Sequence, residues 1–175
     1  MEGPLVRRIE ERDLALLQDI ERAADTVLPF HDDPRWPGPM PGRARLGRRG
    51  FILVTGEPEA VGFAHVLDLG GDRWHLEQLS VLPDHMGHGL GRALLRAVIE
   101  RTTALGGKDL TLTTFGDLAF NGPFYASEGF AEIPRGTEPE RLASALAAEE
   151  RLDLNQWGRR VAMIRRLGDG EHGRS

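Results

Sequence analysis

Three glycines at alternate positions, Gly87, Gly89 and Gly91, stand between an apolar run that ends at Pro83 and an amphipathic stretch that opens at Leu90. Glycines at a strand-to-helix junction bare backbone N–H groups at the positive end of a helix. That is chemistry for holding an anion such as a phosphate. His88 and Arg92 can add positive charge, although Arg92 reads equally well as a solvated helix residue. The series is GxGxG rather than GxGxxG, and no acidic residue closes the next strand about 20 residues on, so a dinucleotide fold fits poorly. Without a Gly-Lys-Ser/Thr sequence it is not a Walker loop, and a plain turn is the competing reading. Glu77 is the second reactive candidate. It sits in the middle of the strand-like run WHLEQLSV, where a carboxylate needs a partner or a task. Burial there is expected to raise its pKa toward neutrality, which suits a general base; a structural ion pair with an arginine is the alternative. Alternation sets His75, Glu77, Leu79 and Val81 on one face, so His75 is a second titratable group beside it, or an exposed strand position.

These residues need a frame, and hydrophobic periodicity supplies one. Pro4–Glu10 reads as a short strand, and Arg12–Ala24 as a helix with Leu14, Leu17, Ile20 and Ala24 on its apolar face. Asp25–Gly50 carries five prolines, which exclude a regular helix through Pro41, and its basic end GRARLGRRG is expected to be polar and exposed. Phe51–Thr55, Val61–Leu69 and Trp74–Val81 read as strands whose short turns make them antiparallel neighbours. Leu90–Leu105 is the strongest helical pattern, with Leu90, Leu94, Val98 and Ile99 as its stripe and Gly106-Gly107 as its stop. Asp109–Thr114 alternates as a strand, Asp117–Ser127 reads as a short helix and Phe130–Ile133 as a strand. Pro139–Leu152 is expected to be helical, Arg159–Leu167 forms the last strand, and the tail 168–175 is expected to be disordered. The order is mixed α/β.

The run SVLPDHMGHGLGRALL resembles the acetyl-CoA-binding motif of the GNAT superfamily of N-acetyltransferases, a glycine turn between a central strand and a long helix. Downstream, Asn121, Phe124-Tyr125 and Gly129-Phe130 resemble a second region of that superfamily. Thr113-Thr114-Phe115 with Asn121–Tyr125 is similar to one bacterial branch of mostly unassigned substrate. The likeness runs from about residue 4 to 167. It departs at Met86, where the superfamily usually has Arg or Gln; because the phosphate contacts are largely from backbone N–H groups, binding is expected to survive.

The resemblance implies a single α/β domain over residues 1–167 with a mixed, mostly antiparallel, V-split sheet and helices on both faces. It implies acetyl-CoA as acyl donor, its pyrophosphate on Met86, Gly87, His88, Gly89, Leu90, Gly91 and Arg92. The strand backbone from Leu79 to Val81 would pair with the pantetheine arm. Asn121 would bond the same arm, or cap a helix. Tyr125, the chain's one tyrosine, stands where the superfamily places its general acid, or is a packed aromatic bonded to the cofactor. Glu77 would serve as base, directly or through water. The proline loop lies where acceptors bind, so Phe30, Asp32, Asp33 and Trp36 form either an acidic, aromatic wall for a cationic amine or a surface loop with Trp36 packed on the core. His75 would join that acceptor side. The implied reaction is acetyl transfer to a primary amine, in the first instance of a small molecule, within a ternary complex. A non-catalytic acyl-CoA-binding module and an acyltransferase for peptide amines are the alternatives.

Bulk properties narrow the partners. A net charge of −5 and a pI near 5.7 argue against a nucleic-acid surface. The chain has no cysteine, which excludes disulfides and thiol nucleophiles. Its start, MEGPLVRRIEERD, lacks the apolar core of a secretory signal, and no apolar run reaches about 18 residues, so a cytoplasmic protein without a membrane segment is expected. No metal is expected, since the six histidines show no paired ligand spacing on one helix. The alanine-rich Pro139–Leu152 would flank the acceptor pocket or form a homodimer surface.

Overall fold

The computed structural model describes residues 3–168; the tail expected to be disordered lies, from 169 on, outside them. Among the described residues seven strands and five α-helices follow one another as β1 (Val6–Arg8), α1 (Glu11–Asp25), α2 (Gly42–Leu46), β2 (Gly50–Thr55), β3 (Gly62–Gly70), β4 (Arg73–Val81), α3 (Leu90–Ala104), β5 (Asp109–Phe115), α4 (Gly122–Ser127), β6 (Ala131–Glu132), α5 (Ala143–Arg151) and β7 (Arg160–Arg166). The strands are ordered β1-β2-β3-β4-β5-β7-β6, with β1/β2, β2/β3, β5/β7 and β6/β7 antiparallel. The mixed, mostly antiparallel α/β class expected from the sequence is the one observed. Among the described residues no helix is long and apolar enough to cross a membrane.

The chain forms two compact units, the first running to Asp68 and including Leu76–Arg101, the second comprising Leu69–His75 and the described residues from Thr102 on. In the first, the apolar face of α1 (Leu14, Leu17, Ile20) packs on Ile52 and Val54 of β2, Ala60 and Phe63 of β3. The start of α1 is fixed by Asp13, a buried carboxylate that accepts the Glu10 N–H at 2.8 Å and two bonds from the Arg7 guanidinium at 2.7 and 2.9 Å. Helix α2 docks on α1 without an intervening side chain: a Cβ at Gly42 would overlap the carbonyl oxygen of Leu14. The stretch GRARLGRRG is exposed as expected at Arg43, Ala44 and residues 46–50, but Gly42 and Arg45 turn inward. Pro41 starts a short helix there, and Arg45 is 1 % exposed. In α3, Leu94, Leu95 and Val98 are fully buried.

In the second unit, β7 lies against the whole of β5, from Asp109 opposite Arg166 to Phe115 opposite Arg160. Asp109 is fully buried at the start of β5 and takes three guanidinium groups: Arg73, Arg141 at 3.0 Å to both oxygens, and Arg166 at 3.2 Å. The helix expected over Asp117–Ser127 is shorter than its pattern. Only Gly122–Ser127 is helical, opening with Pro123 in its first turn, where the missing N–H costs nothing. A 3-10 turn, Glu140–Leu142, precedes α5 and buries Leu142.

Candidate functional site

Strand β4 ends at Val81 and passes through a 3-10 turn at Pro83–His85 into the glycine series. Gly87 and Gly89 both hold φ of +79°, the left-handed region that side chains avoid. A Cβ at either would meet nothing within 4 Å, so the need is conformational and the backbone stands open on that side. Behind it the packing is tight: a Cβ at Gly62 of β3 would crowd the Ser80 carbonyl at 3.0 Å, Val81 at 3.1 Å and Leu94 of α3 at 3.3 Å. The first intrahelical bond of α3 runs from the Ala93 N–H to the Gly89 carbonyl at 2.9 Å. The amides of Leu90 and Gly91 lie ahead of that bond, where a helix has no carbonyl of its own to offer. Met86 and His88 are exposed, Arg92 is half-buried, and on β4 Leu79 is half-buried and Val81 buried.

Glu77 of β4 is held by two basic groups. Its Oε2 accepts a bond from Arg45 Nη1 at 2.8 Å and lies 3.1 Å from Nδ1 of His65 on β3. The other guanidinium nitrogen of Arg45 donates to Glu21 of α1. Arg45 and His65 are each about 1 % exposed, and the guanidinium also stands over the Phe63 ring at 5.1 Å. Two carboxylates thus share one buried cation, and their environments separate them. Burial pushes Glu77 up, but the His65 hydrogen bond and the charges of Arg45, His65 and Arg48 outweigh it and hold the carboxyl below its ordinary range. The expected rise of Glu77 toward neutrality is therefore corrected: the sequence placed the carboxylate but not the Arg45 guanidinium and the His65 ring facing it. Glu21 goes the other way. Burial, with the charges of Asp25 and Glu77, pushes it up to about 7 against the pull of Arg45.

The proline loop sits at the end of α1. The Trp36 indole N–H donates to Asp25 at 3.0 Å, and the Phe30 and Trp36 rings pack at 5.0 Å. Burial raises the Asp25 carboxyl, opposed by Trp36 and His31. The two acids expected on the acceptor wall have local partners: Asp32 lies 3.0 Å from His31 Nε2, and Asp33 takes three bonds from Arg35, one of them from its backbone N–H. His75 is buried in the second unit, its Nδ1 2.9 Å from the Thr111 hydroxyl.

Tyr125 of α4 also belongs to the second unit. It is buried between Phe124 and Phe130, with ring centroids at 5.2 and 5.8 Å, and burial pushes its hydroxyl well up, with Arg160 opposing. Asn121 occupies the N-cap position of α4, where its carbonyl accepts the Tyr125 N–H at 3.0 Å.

Glu21, Arg45 and His65 were not singled out by the sequence. One signal was available: Glu21 lies seven residues after Leu14 and four after Leu17, on the edge of the buried stripe of α1, a place for a paired carboxylate.

A model of the acetyltransferase (GNAT) family matches residues 14–130. Among solved structures, the chain resembles N-acetylglutamate synthase from Neisseria gonorrhoeae complexed with coenzyme A and N-acetyl-glutamate (TM-score 0.71, 16 % identity), covering 96 % of this chain and 36 % of that one. The chain thus spans about a third of that synthase. It also resembles the ribosomal-protein-S18-alanine N-acetyltransferase from Escherichia coli, with a TM-score of 0.67, 21 % identity and 98 % of each chain covered. A third likeness is to yncA, a putative acetyltransferase from Salmonella typhimurium with its cofactor acetyl-CoA (TM-score 0.64, 19 % identity, 99 % of each chain).

Proposed function

The chain belongs to the acetyltransferase (GNAT) family, and on that premise we propose that it moves an acetyl group from acetyl-CoA to the primary amine of a small molecule. The observation that carries this reading is the glycine junction, an open backbone at the N-terminus of a 15-residue helix directly after an ordered strand. The amides of the turn from Met86 to Arg92 receive the pyrophosphate. The edge of β4 from Leu79 to Val81 aligns the pantetheine arm, with Asn121 as a further hydrogen-bonding group. The structural neighbours support the donor: the synthase was captured with coenzyme A and yncA with acetyl-CoA.

The chemistry asks for three things. The amine must lose a proton to expose its lone pair, the thioester carbonyl must lie in reach, and the departing thiolate must gain a proton. The carboxylates of the Glu77 cluster serve the first. Tyr125 serves the last: with its hydroxyl pushed up by burial it stays a proton donor at neutral pH. With no cysteine in the chain to carry the acetyl group as a thioester, direct transfer in a ternary complex is the simplest route. The aromatic pair Phe30 and Trp36, backed by Asp25, forms the acceptor wall, a narrower version of the one expected from Phe30, Asp32, Asp33 and Trp36.

Thermal melting with acetyl-CoA, free CoA or NADH tests the donor. At a hundredfold excess over Kd, a ligand of the native state adds about 2.7 kcal/mol, so a rise of several degrees is expected with the two CoA compounds alone. Thiol release across a panel of amines then identifies the acceptor. No rise with any CoA species overturns the reading; a rise without release on any small amine, but with release on peptides, moves the acceptor to a protein terminus.

A further inference from the structure

Glu21, Arg45, His65 and Glu77 come from four elements, α1, α2, β3 and β4, and meet at one guanidinium. The charge balance of this group is uneven. Two carboxylates share the one guanidinium, and the imidazole lies against Glu77 alone. Asp25, one turn along α1, adds a further negative charge toward Glu21, and Arg48 adds a positive one toward Glu77. Of two carboxylates withdrawn from water, the one with fewer facing cations and a nearer anion gains more by taking up a proton. His65 and Arg45 both stand against Glu77, whereas Glu21 has Arg45 alone, so the proton settles on Glu21. When it does, Glu21 loosens from Nη2 while Nη1 keeps its 2.8 Å bond to Glu77, and a neutral ion pair remains.

We infer that Glu21 is the proton-accepting carboxylate of this site, taking the proton that the acceptor ammonium must lose, while Glu77 stays ionised against Arg45 and His65. This rests on the acetyl-transfer reading and deepens it. An N–H bond of the ammonium breaks, its electrons stay on nitrogen as the lone pair, and the proton forms an O–H bond on Glu21. Nitrogen then bonds to the thioester carbon, the C–S electrons leave on sulfur, sulfur takes the Tyr125 hydroxyl proton, and the second proton from nitrogen restores the tyrosine. Glu21 returns its proton to solvent, so one amide, one thiol and one free proton are formed from one ammonium and one thioester. That Glu21 is pushed up to about 7 suits the task, since a base is most effective near the working pH.

Carbon-13 titration of the glutamate side-chain carboxyls, from about pH 5 to about pH 9, reads this without any acceptor. Wild type is compared with Glu21→Gln, Glu77→Gln and His65→Gln. The expected result is one carboxyl with a midpoint near neutrality that vanishes in Glu21→Gln, survives in His65→Gln, and moves down in Glu77→Gln as the repelling charge goes. A Glu21 carboxyl ionised throughout the range, or a neutral midpoint that vanishes instead with Glu77 or His65, overturns the inference. Folding of each variant is read from the dispersion of the same spectra, and Glu21→Asp stands in where Glu21→Gln does not fold. On turnover, Glu21→Gln is expected to lower kcat/KM about 10²-fold for an alkylamine and to remove the acidic limb of its pH profile, with KM for acetyl-CoA unchanged. An unchanged profile overturns the role of Glu21, whereas a wild type inactive on every amine overturns the acetyl-transfer reading instead.

Discussion

Arg45 divides one guanidinium between Glu21 and Glu77, so its loss would strand two half-buried carboxylates together. Arg45→Met is expected to destabilise the chain by about 3–5 kcal/mol in urea unfolding. The two carboxylates give opposite pH signatures. Glu21, raised from 4.5 to about 7, contributes stability that is complete below 4.5 and is lost as pH rises through about 7. Glu77 is lowered, so its contribution is present above its unfolded value and is lost as pH falls through the folded one. Melting temperatures of wild type and Glu21→Gln between weakly acid and neutral pH check the sign: wild type is expected to lose more stability over that interval than the variant. Tyr125→Phe keeps the ring packing against Phe124 and Phe130 and removes only the hydroxyl. Its melting temperature and CoA binding should stay close to wild type while kcat falls about 10²-fold; an unchanged kcat would remove Tyr125 from the reaction.

Helix α3 and its glycine turn were legible because both signals are local: a 3.6-residue stripe, and glycines where the backbone turns left-handed. Two substitutions separate conformation from access. Gly89→Ala forces a side chain to φ +79° and is expected to destabilise by about 1–2 kcal/mol. Gly91 stands outside that region, and a Cβ there would lie 3.9 Å from Val81, so Gly91→Ala should fold as well as wild type. Calorimetric titration with CoA is expected to show weaker binding to Gly91→Ala, because its methyl stands beside the amides at the head of α3. Equal affinity would place the pyrophosphate elsewhere. The short helix α2 was not legible. GRARLGRRG reads as solvated charge, and nothing local tells which arginine turns inward. That choice is made by Glu21 and Glu77, 24 and 32 residues away in the chain.

The strand order divides in the same way across the molecule. Hairpins such as β2/β3 follow from short turns, but β7 enters between β5 and β6 after the α5 segment, a pairing that turn length does not encode. Each compact unit carries its own buried acid, Asp13 in the first and Asp109 in the second. Asp109→Asn leaves Arg73, Arg141 and Arg166 without their shared anion, and a loss of about 3 kcal/mol in urea unfolding is expected. Arg166→Ala, at a side chain 69 % exposed, should lose less than about 1 kcal/mol. The contact of Gly42 with Leu14 has a wider consequence. It holds the far end of the segment 26–41 on α1, whose last turn carries the near end, so that segment is a replaceable cassette between fixed posts. Doubling its length adds only about 0.6 kcal/mol of closure entropy. On the proposed reading, acceptor preference can therefore be regrafted there, or drift there by natural variation, while Arg45 and its two carboxylates keep their register.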